Sequence, residues 1–227
     1  MQVVHLSQTQ DREAWLELRR GKISGTKAKE VRPLSRGADR TPQGFWKLLA
    51  EKIAIEPDGE NVIDRGKRLE NEGLIKTAKQ FDLSLDLDPG LWVSSIHEDI
   101  AVSPDACEYG ADQPTYAAEN KSLSSDNHLK YVIRDIKARK FADTYKAIDQ
   151  VPEDYHYQCI QYFVVNDSLK TLYFTLYDDR IAIEKYVHHV IVINREDIEE
   201  EIEAQKTIEL QTLDDLEALM KEMGIIE

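Results

Sequence analysis

The sequence has few of the residues that cross-link a chain or anchor it in a membrane. It contains two cysteines, Cys107 and Cys159, in 227 residues, too few for a disulfide framework or for a metal site made of four cysteines. No apolar run approaches the ~20 residues that span a bilayer, and no basic stretch followed by a long apolar run opens the chain. We therefore expect one cytoplasmic domain over residues 1–227, with no membrane segment.

Positive charge is also scarce. Lys and Arg number 29 against 43 Asp and Glu, which gives a formal net charge of −14. The acidic residues are concentrated in a predicted helix at about residues 195–223, whereas residues 12–36 and 126–146 are locally basic. These basic segments are either ordinary solvated helices or a local surface that binds phosphate groups. In the second case, the acidic remainder would limit non-specific binding to nucleic acid.

The spacing of apolar residues outlines an α/β (α+β) chain. Apolar residues at helical spacing predict helices at residues 11–20, 44–55, 62–80, 126–146 and 152–165. Runs of β-branched and aromatic residues predict strands at residues 91–96, 100–102, 115–121, 170–177 and 186–193. The first three predicted strands are close together in sequence, so we expect them to form a meander.

Charged residues with chemical potential stand in two short stretches near the middle of the chain. Asp105 ends the stretch Ser-Pro-Asp, and Glu119 and Lys121 flank Asn120 at the end of a predicted strand. Because side chains alternate along a strand, Glu119 and Lys121 are expected on one face and Asn120 on the other. Antiparallel pairing across the loop 109–114 would bring Asp105 to the same place. Two carboxylates can hold a hard divalent cation, and an ammonium can stand beside a phosphate under attack.

Simpler structural interpretations exist for these and other polar residues. Charged residues make up 32% of the chain and Pro-Asp is common in turns, so a surface hairpin with a salt-bridged edge is also possible. Glu70 lies at the edge of an apolar helix stripe, where it could be a solvated carboxylate paired with Lys67. His188 and His189 are interpreted as structural, because neighbouring strand residues point to opposite faces and cannot chelate one ion together.

Five stretches, taken in order, resemble the lambda exonuclease-like (YqaJ-like) viral recombinase family of PD-(D/E)xK nucleases. They are WLELRRG at 15–21, RGKRLEN at 65–71, SPD at 103–105, ENK at 119–121, and Gln158 with Tyr162. The last pair is also similar to the nuclease domain of the RecB group. The resemblance covers residues 11–193. It implies a PD-(D/E)xK restriction-endonuclease-like core, in which helices flank a mixed β-sheet.

The resemblance implies a metal-binding or catalytic role for five of the matching residues. Asp105, Glu119 and the backbone carbonyl of Asn120 would bind Mg2+, for which Mn2+ would substitute. Lys121 would position or polarise the attacking water and offset charge on the phosphate. Glu70 would bind the water shell of the metal or a second ion.

Gln158 is implied to be a sixth residue of this catalytic set, and four further residues are implied to contact the substrate. Gln158 would orient Lys121 or the scissile phosphate. Arg19 would bind the 5′-phosphate of a DNA end, with Thr26 and Ser103 adding hydroxyl groups. Tyr162 is assigned to DNA binding with them.

The activity implied by the resemblance is 5′→3′ degradation of one strand of linear double-stranded DNA. The products would be mononucleotides and a 3′ single-stranded overhang, used in a bacterial or phage-infected cell for single-strand-annealing recombination. The implied partners are DNA ends, two further copies in a homotrimeric ring, and an annealing protein. Two alternatives remain: a structure-specific or RecB-like DNA endonuclease, and a non-catalytic DNA-end-binding protein. Iron–sulfur nucleases need four cysteines, and this chain has two.

Overall fold

A mixed β-sheet holds many of the apolar side chains of the chain, and helices cover both of its faces. The computed structural model describes residues 43–53 and 62–224. The strands within these residues are β1 (Leu85–Asp86), β2 (Trp92–Val93), β3 (Ala101–Val102), β4 (Ala106–Glu108), β5 (Tyr116–Lys121), β6 (Thr171–Tyr177) and β7 (His188–Asn194). The α-helices are α1 (Gln43–Ile53), α2 (Val62–Phe81), α3 (Ser125–Phe141), α4 (Glu153–Val165) and α5 (Glu199–Glu222).

The main sheet has the strand order β1-β4-β5-β6-β7. Strands β5 and β6 pair in parallel, and the other neighbours pair antiparallel. A parallel pair needs a long crossover connection, and here the chain between the two strands forms α3 and α4. The sheet is therefore mostly antiparallel, and its one parallel pair lies at β5.

The two faces of β5 meet different helices. Glu119 and Lys121 project from the front face, which also carries Ala117 and Phe174 and packs against α4 and the start of α5. Ala118 projects from the back face and packs on Leu74 of α2. Side-chain alternation thus gives one strand two separate neighbourhoods.

The helices predicted from residue 44 onward and most predicted strands are confirmed, with small shifts at their ends, whereas the helix predicted at 11–20 lies outside the described residues. The helix predicted at 126–146 is shorter than expected, because it ends at Phe141 and is followed by a 3-10 helix at Ala147–Gln150. Among the described helices, none is both long and apolar enough to cross a membrane. Cys107 and Cys159 are buried free thiols.

The predicted three-stranded meander is wrong. Strands β2 and β3 form a separate two-residue hairpin, and β5 pairs instead with β4, a strand that was not predicted and that begins after Asp105. Pro104 explains the break, since proline has no N–H with which to continue a strand ladder. Asp105 consequently stands at the entry to the main sheet, next to β5.

The two adjacent histidines of β7 point to opposite faces, as their alternation predicts. His188 Nε2 lies 3.0 Å from Thr77 Oγ1 of α2, and His189 Nε2 lies 2.7 Å from Asp135 Oδ2 of α3. Burial lowers the pKa of His188 to about 4. Both imidazoles therefore have structural partners on different sides of the sheet.

Candidate active site

Three charged side chains meet at the place where β4 begins and β5 ends. Asp105 immediately precedes β4, and its Oδ2 accepts a 2.8 Å hydrogen bond from the backbone N–H of Asn120. The ammonium of Lys121 forms an ion pair with Glu119 Oε1. Asp105, Glu119 and Lys121 are called the carboxylate–lysine cluster below. The strand alternation and the antiparallel pairing assumed from the sequence are both present.

Helix α4 holds Glu119 from the front face. Gln158 Nε2 donates to Glu119 Oε1 at 2.7 Å, and the Tyr162 hydroxyl donates to Glu119 Oε2. Gln158 and Tyr162 stand four positions apart, so they share one side of the helix. The α4 side chains thus hold Glu119, while the backbone of β5 holds Asp105.

These contacts bear on two of the expectations from sequence. The Gln158 amide donates to Glu119 Oε1, the same oxygen that pairs with Lys121, and its predicted role in orienting Lys121 or a phosphate stays a prediction. Tyr162 was assigned to DNA binding, but its side chain is fully buried and its hydroxyl is engaged by Glu119. A residue with no exposed surface lies beneath the cluster and cannot face a DNA strand. The structure therefore gives both residues a supporting position.

The electrostatics of the cluster favour a bound cation. Burial and the negative charge of Asp105 raise the pKa of Glu119, and the hydrogen bonds from Lys121 and Tyr162 do not fully offset this. Burial also raises the pKa of Asp105, despite the Asn120 N–H and the charge of Lys121. Burial opposes the charge of Lys121, but the two carboxylates outweigh it and raise the lysine pKa. Two carboxylates are thus held together with one positive charge between them.

The donor set fits a hard divalent cation that keeps part of its coordination shell open. Carboxylate oxygens are the ligands that Mg2+ prefers, and Mg2+ commonly uses one or two of them together with water and phosphate oxygens. Three donors already engage Glu119, which leaves about one of its roughly four acceptor positions free. Within residues 43–53 and 62–224, no group of three His, Cys, Asp or Glu side chains could enclose a metal. Among the described residues, a cation here would be held by the side chains of Asp105 and Glu119 together with backbone or water oxygens.

Glu70 lies on the helix that covers the back face. It is half-buried and follows Leu69, whose carbonyl oxygen accepts a 3.4 Å hydrogen bond from Asn120 Nδ2. The helix therefore contacts the side of β5 opposite to the side chains of Glu119 and Lys121. The expected role of Glu70 near a metal stays a prediction, and the side chain of Lys67 lies outside the described residues.

The expected phosphate-binding residues are only partly described. Arg19 and Thr26 lie outside the described residues. Ser103 is exposed in the link between β3 and β4, two positions before Asp105. A hydroxyl at that place borders the cluster, and its contact with a phosphate stays a prediction.

The sequence interpretation missed Tyr155, which contacts the catalytic candidate Lys121 directly. The Lys121 Nζ lies 5.2 Å from the centroid of the Tyr155 ring. Tyr155, Gln158 and Tyr162 are spaced i, i+3 and i+7 on α4, and this spacing puts them on one helix face. The helical spacing of Tyr155, three positions before Gln158, could have identified it from the sequence.

Gly73 was also missed, and it determines how closely α2 approaches β5. A Cβ atom at this position would lie 2.0 Å from Asn120 Oδ1 and 3.0 Å from Tyr177 Cβ. Only a residue without a side chain leaves room for this approach. A lone glycine inside a helical pattern has several possible causes, so nothing in the sequence marked this position specifically.

Comparison with known proteins adds to this geometry. The family model described as the YqaJ-like viral recombinase domain matches residues 14–169. No curated protein matches the chain. A crystal structure of LHK-Exo in complex with dAMP is 18% identical, with a TM-score of 0.50, and covers 95% of this chain and 100% of its own. A second structure, an alkaline exonuclease (LHK-Exo) from Laribacter hongkongensis, is 21% identical with the same coverage and a TM-score of 0.49. At 18% identity, the likeness to the dAMP complex is one of fold.

Proposed function

The chain belongs to the YqaJ-like viral recombinase domain family, and on that premise we propose that it is a metal-dependent deoxyribonuclease of the PD-(D/E)xK type. Its specific activity is Mg2+-dependent 5′→3′ exonucleolytic cleavage of linear double-stranded DNA from 5′-phosphorylated ends. The observation that carries the proposal is the carboxylate–lysine cluster at the edge of a mixed sheet. LHK-Exo, which has a similar fold, is described as an alkaline exonuclease and was solved with dAMP.

The chain's own residues prepare the site for a phosphodiester. The Asn120 N–H holds Asp105, while Gln158 and Tyr162 hold Glu119, so neither carboxylate has to reorganise during the reaction. Such preorganisation is a major source of catalysis. Lys121 keeps a positive charge at the same place and is positioned to stabilise the negative charge that grows on the phosphate.

The proposed cation would be held by Asp105 and Glu119, with the backbone carbonyl of Asn120 as a further ligand. When bound, Mg2+ or Mn2+ supplies charge screening at the phosphodiester and lowers the pKa of water. Glu70 is proposed to act on the water shell of this ion or on a second one. Arg19, Thr26 and Ser103 are proposed to bind the 5′-phosphate of the DNA end.

The proposed assembly is a homotrimeric ring that works beside a single-strand annealing protein. Closed cyclic symmetry would keep the enzyme on its DNA and produce long 3′ overhangs. This part of the proposal derives from the family resemblance. Light scattering that reports a monomer at working concentration would contradict it.

The decisive experiment is digestion of a linear duplex with one 5′-phosphorylated end, labelled on each strand in turn. It is run in Mg2+ and in EDTA, with a closed circular duplex as control. We expect mononucleotide release from the 5′-phosphorylated strand in Mg2+, no release in EDTA and an intact circle. Cutting of the circle would support the endonuclease alternative. End binding without any cleavage would support a non-catalytic end-binding protein.

A further inference from the structure

The ammonium of Lys121 has a second neighbour in addition to Glu119. Its Nζ lies 5.2 Å from the ring centroid of Tyr155, within the ~6 Å at which an aromatic face attracts a cation. The lysine side chain is 23% exposed, so the contact with the ring is partly desolvated. A salt bridge and an aromatic face together define where this ammonium sits.

The Tyr155 ring is itself held in place. Its backbone N–H donates a 2.8 Å hydrogen bond to the Pro152 carbonyl, which fixes it in the first turn of α4. The ring centroid lies 6.0 Å from that of Phe174, with the planes tilted by 38°. Phe174 is paired with Glu119 in the β5–β6 register. The ring thus packs against β6, the strand that pairs with β5 beside Glu119.

The neutral ring of Tyr155 can hold the Lys121 ammonium when the Glu119 carboxylate is engaged by a cation. Lysine has a flexible four-carbon stem with three rotatable donors, and Glu119 is also the proposed cation ligand. A carboxylate that shares its charge with a cation attracts the ammonium less strongly. The attraction of the ring does not depend on Glu119, so it persists when the carboxylate is engaged elsewhere.

We propose that Tyr155 is a positioning residue, whose ring face holds the Lys121 ammonium at the reaction site while Glu119 is occupied. The proposal rests on the nuclease function proposed above, because that function gives Lys121 its role. It predicts that the aromatic face matters and that the tyrosine hydroxyl does not.

The kinetic test compares Tyr155→Leu with Tyr155→Phe. Leucine keeps apolar contact with Phe174 but has no π face, whereas phenylalanine keeps the face and loses only the hydroxyl. For Tyr155→Leu we expect kcat on a 5′-phosphorylated linear duplex to fall about 10-fold with KM unchanged, a size that corresponds to a partly desolvated cation–π contact. Tyr155→Phe should restore kcat to within about 2-fold of wild type.

A matched control is available on the same helix. Tyr157 is two positions away and 66% exposed, so Tyr157→Leu changes the same residue type outside the cluster and should leave kcat unchanged. Wild-type kcat in Tyr155→Leu would overturn the proposal. Equal losses in Tyr155→Leu and Tyr155→Phe would also overturn it, because the hydroxyl would then be the important group.

A second measurement needs no cleavage. In protein labelled with 13C at lysine Cε and kept in EDTA, ring current from Tyr155 should move the Lys121 ε-CH2 resonance upfield of the other lysines. Lys121→Ala identifies the signal, Tyr155→Phe should keep the shift and Tyr155→Leu should abolish it. A Lys121 resonance at the ordinary lysine position in wild type would refute the contact. Failure of the nuclease assay and failure of this proposal are therefore separable, and misfolding of one variant leaves the wild-type spectrum decisive.

Discussion

Glu119 and Asp178 are both completely buried carboxylates, but the fold treats them in opposite ways. Asp178 follows β6 directly and accepts hydrogen bonds from Ser125 Oγ at 2.6 Å and from Arg180 Nε at 2.8 Å. Burial alone would raise the pKa of Asp178, but the bonds from Arg180 and Ser125 outweigh it and lower the pKa. At Glu119, burial and the charge of Asp105 raise the pKa.

The opposite pKa shifts distinguish Asp178, a carboxylate with a structural role, from Glu119, a carboxylate in the candidate active site. A buried charge is tolerated when hydrogen bonds and an opposite charge compensate for lost hydration. Asp135 follows the Asp178 pattern, since His189, Tyr145 and Arg139 all donate to it. The cluster instead adds a second carboxylate beside the first. Such an excess of negative charge, with one ammonium for two carboxylates, shifts pKa values in a way that is commonly found at functional sites.

The largest effect is expected from removing the positive charge of the cluster. Lys121→Ala should lower the rate of DNA cleavage by about 10²–10³-fold, because it removes a preorganised charge from the place where negative charge develops. The fold and the carboxylates should remain. The measurement is single-turnover digestion of linear duplex, with melting temperature as a check on folding. Lys79→Ala, at an exposed lysine of α2, is the control, and undiminished cleavage by Lys121→Ala would refute the role of this residue.

The second prediction tests whether the two carboxylates differ in stability as they do in pKa. Asp178→Asn should lower the free energy of unfolding by about 3 kcal/mol, since it leaves a partly buried Arg180 without its counter-charge. Asp105→Asn should leave stability unchanged or higher, because it removes repulsion and its amide oxygen can still accept from the Asn120 N–H. It should also abolish cleavage. Urea unfolding measures the free energy of unfolding of both variants. A large loss of stability in Asp105→Asn would contradict the predicted difference between Asp105 and Asp178.

The third prediction concerns divalent cations. Mg2+ at 100 times its dissociation constant should stabilise the folded wild-type chain by about 2.7 kcal/mol, provided that it binds the folded state only. The effect should vanish in Asp105→Asn and persist in Lys121→Ala. Melting temperatures in Mg2+ and in EDTA provide the measurement. A stabilisation that survives in Asp105→Asn would place the cation elsewhere.

The smallest effect is expected in the pH dependence of stability. The pKa of Asp105 is raised in the folded state, so its charge destabilises the fold above that pKa, and this penalty is relieved as pH falls. The pKa of Asp178 is lowered, so its contribution is present above the unfolded pKa and is lost as pH falls through the folded pKa. The stability gap between Asp105→Asn and wild type should therefore be widest near neutral pH and narrow with acidification. The difference in free energy of unfolding between Asp178→Asn and wild type should be large at neutral pH. It should disappear at a pH below the ordinary aspartate pKa.

The sequence was informative where function depends on local spacing. Alternation along β5 is sufficient to put Glu119 and Lys121 on one face and Asn120 on the other. Helical spacing is sufficient to put Gln158 and Tyr162 on one side of α4. The identity of their shared partner required the fold, because Glu119 lies 39 positions before Gln158.

Other features could not be predicted because their causes are not local. Ser125 and Asp178 are 53 positions apart, and nothing in either stretch marks them as partners. The meander failed because one proline at position 104 outweighed the apolar pattern around it. Gly73 is needed only because of how closely Asn120 approaches it, and such an approach is a property of packing.

The parallel pairing of β5 with β6 has a consequence for how the protein folds. Glu119 and Tyr162 are 43 positions apart in sequence. The crossover connection between β5 and β6 has to form before these two strands can pair. Closing such a connection costs chain entropy before its contacts form, so non-local parallel pairs form slowly. We therefore expect the cluster to be completed in a late step of folding. A chain still being synthesised carries both carboxylates but lacks the scaffold that poises them, so its proposed cleavage of DNA begins only when the fold is closed.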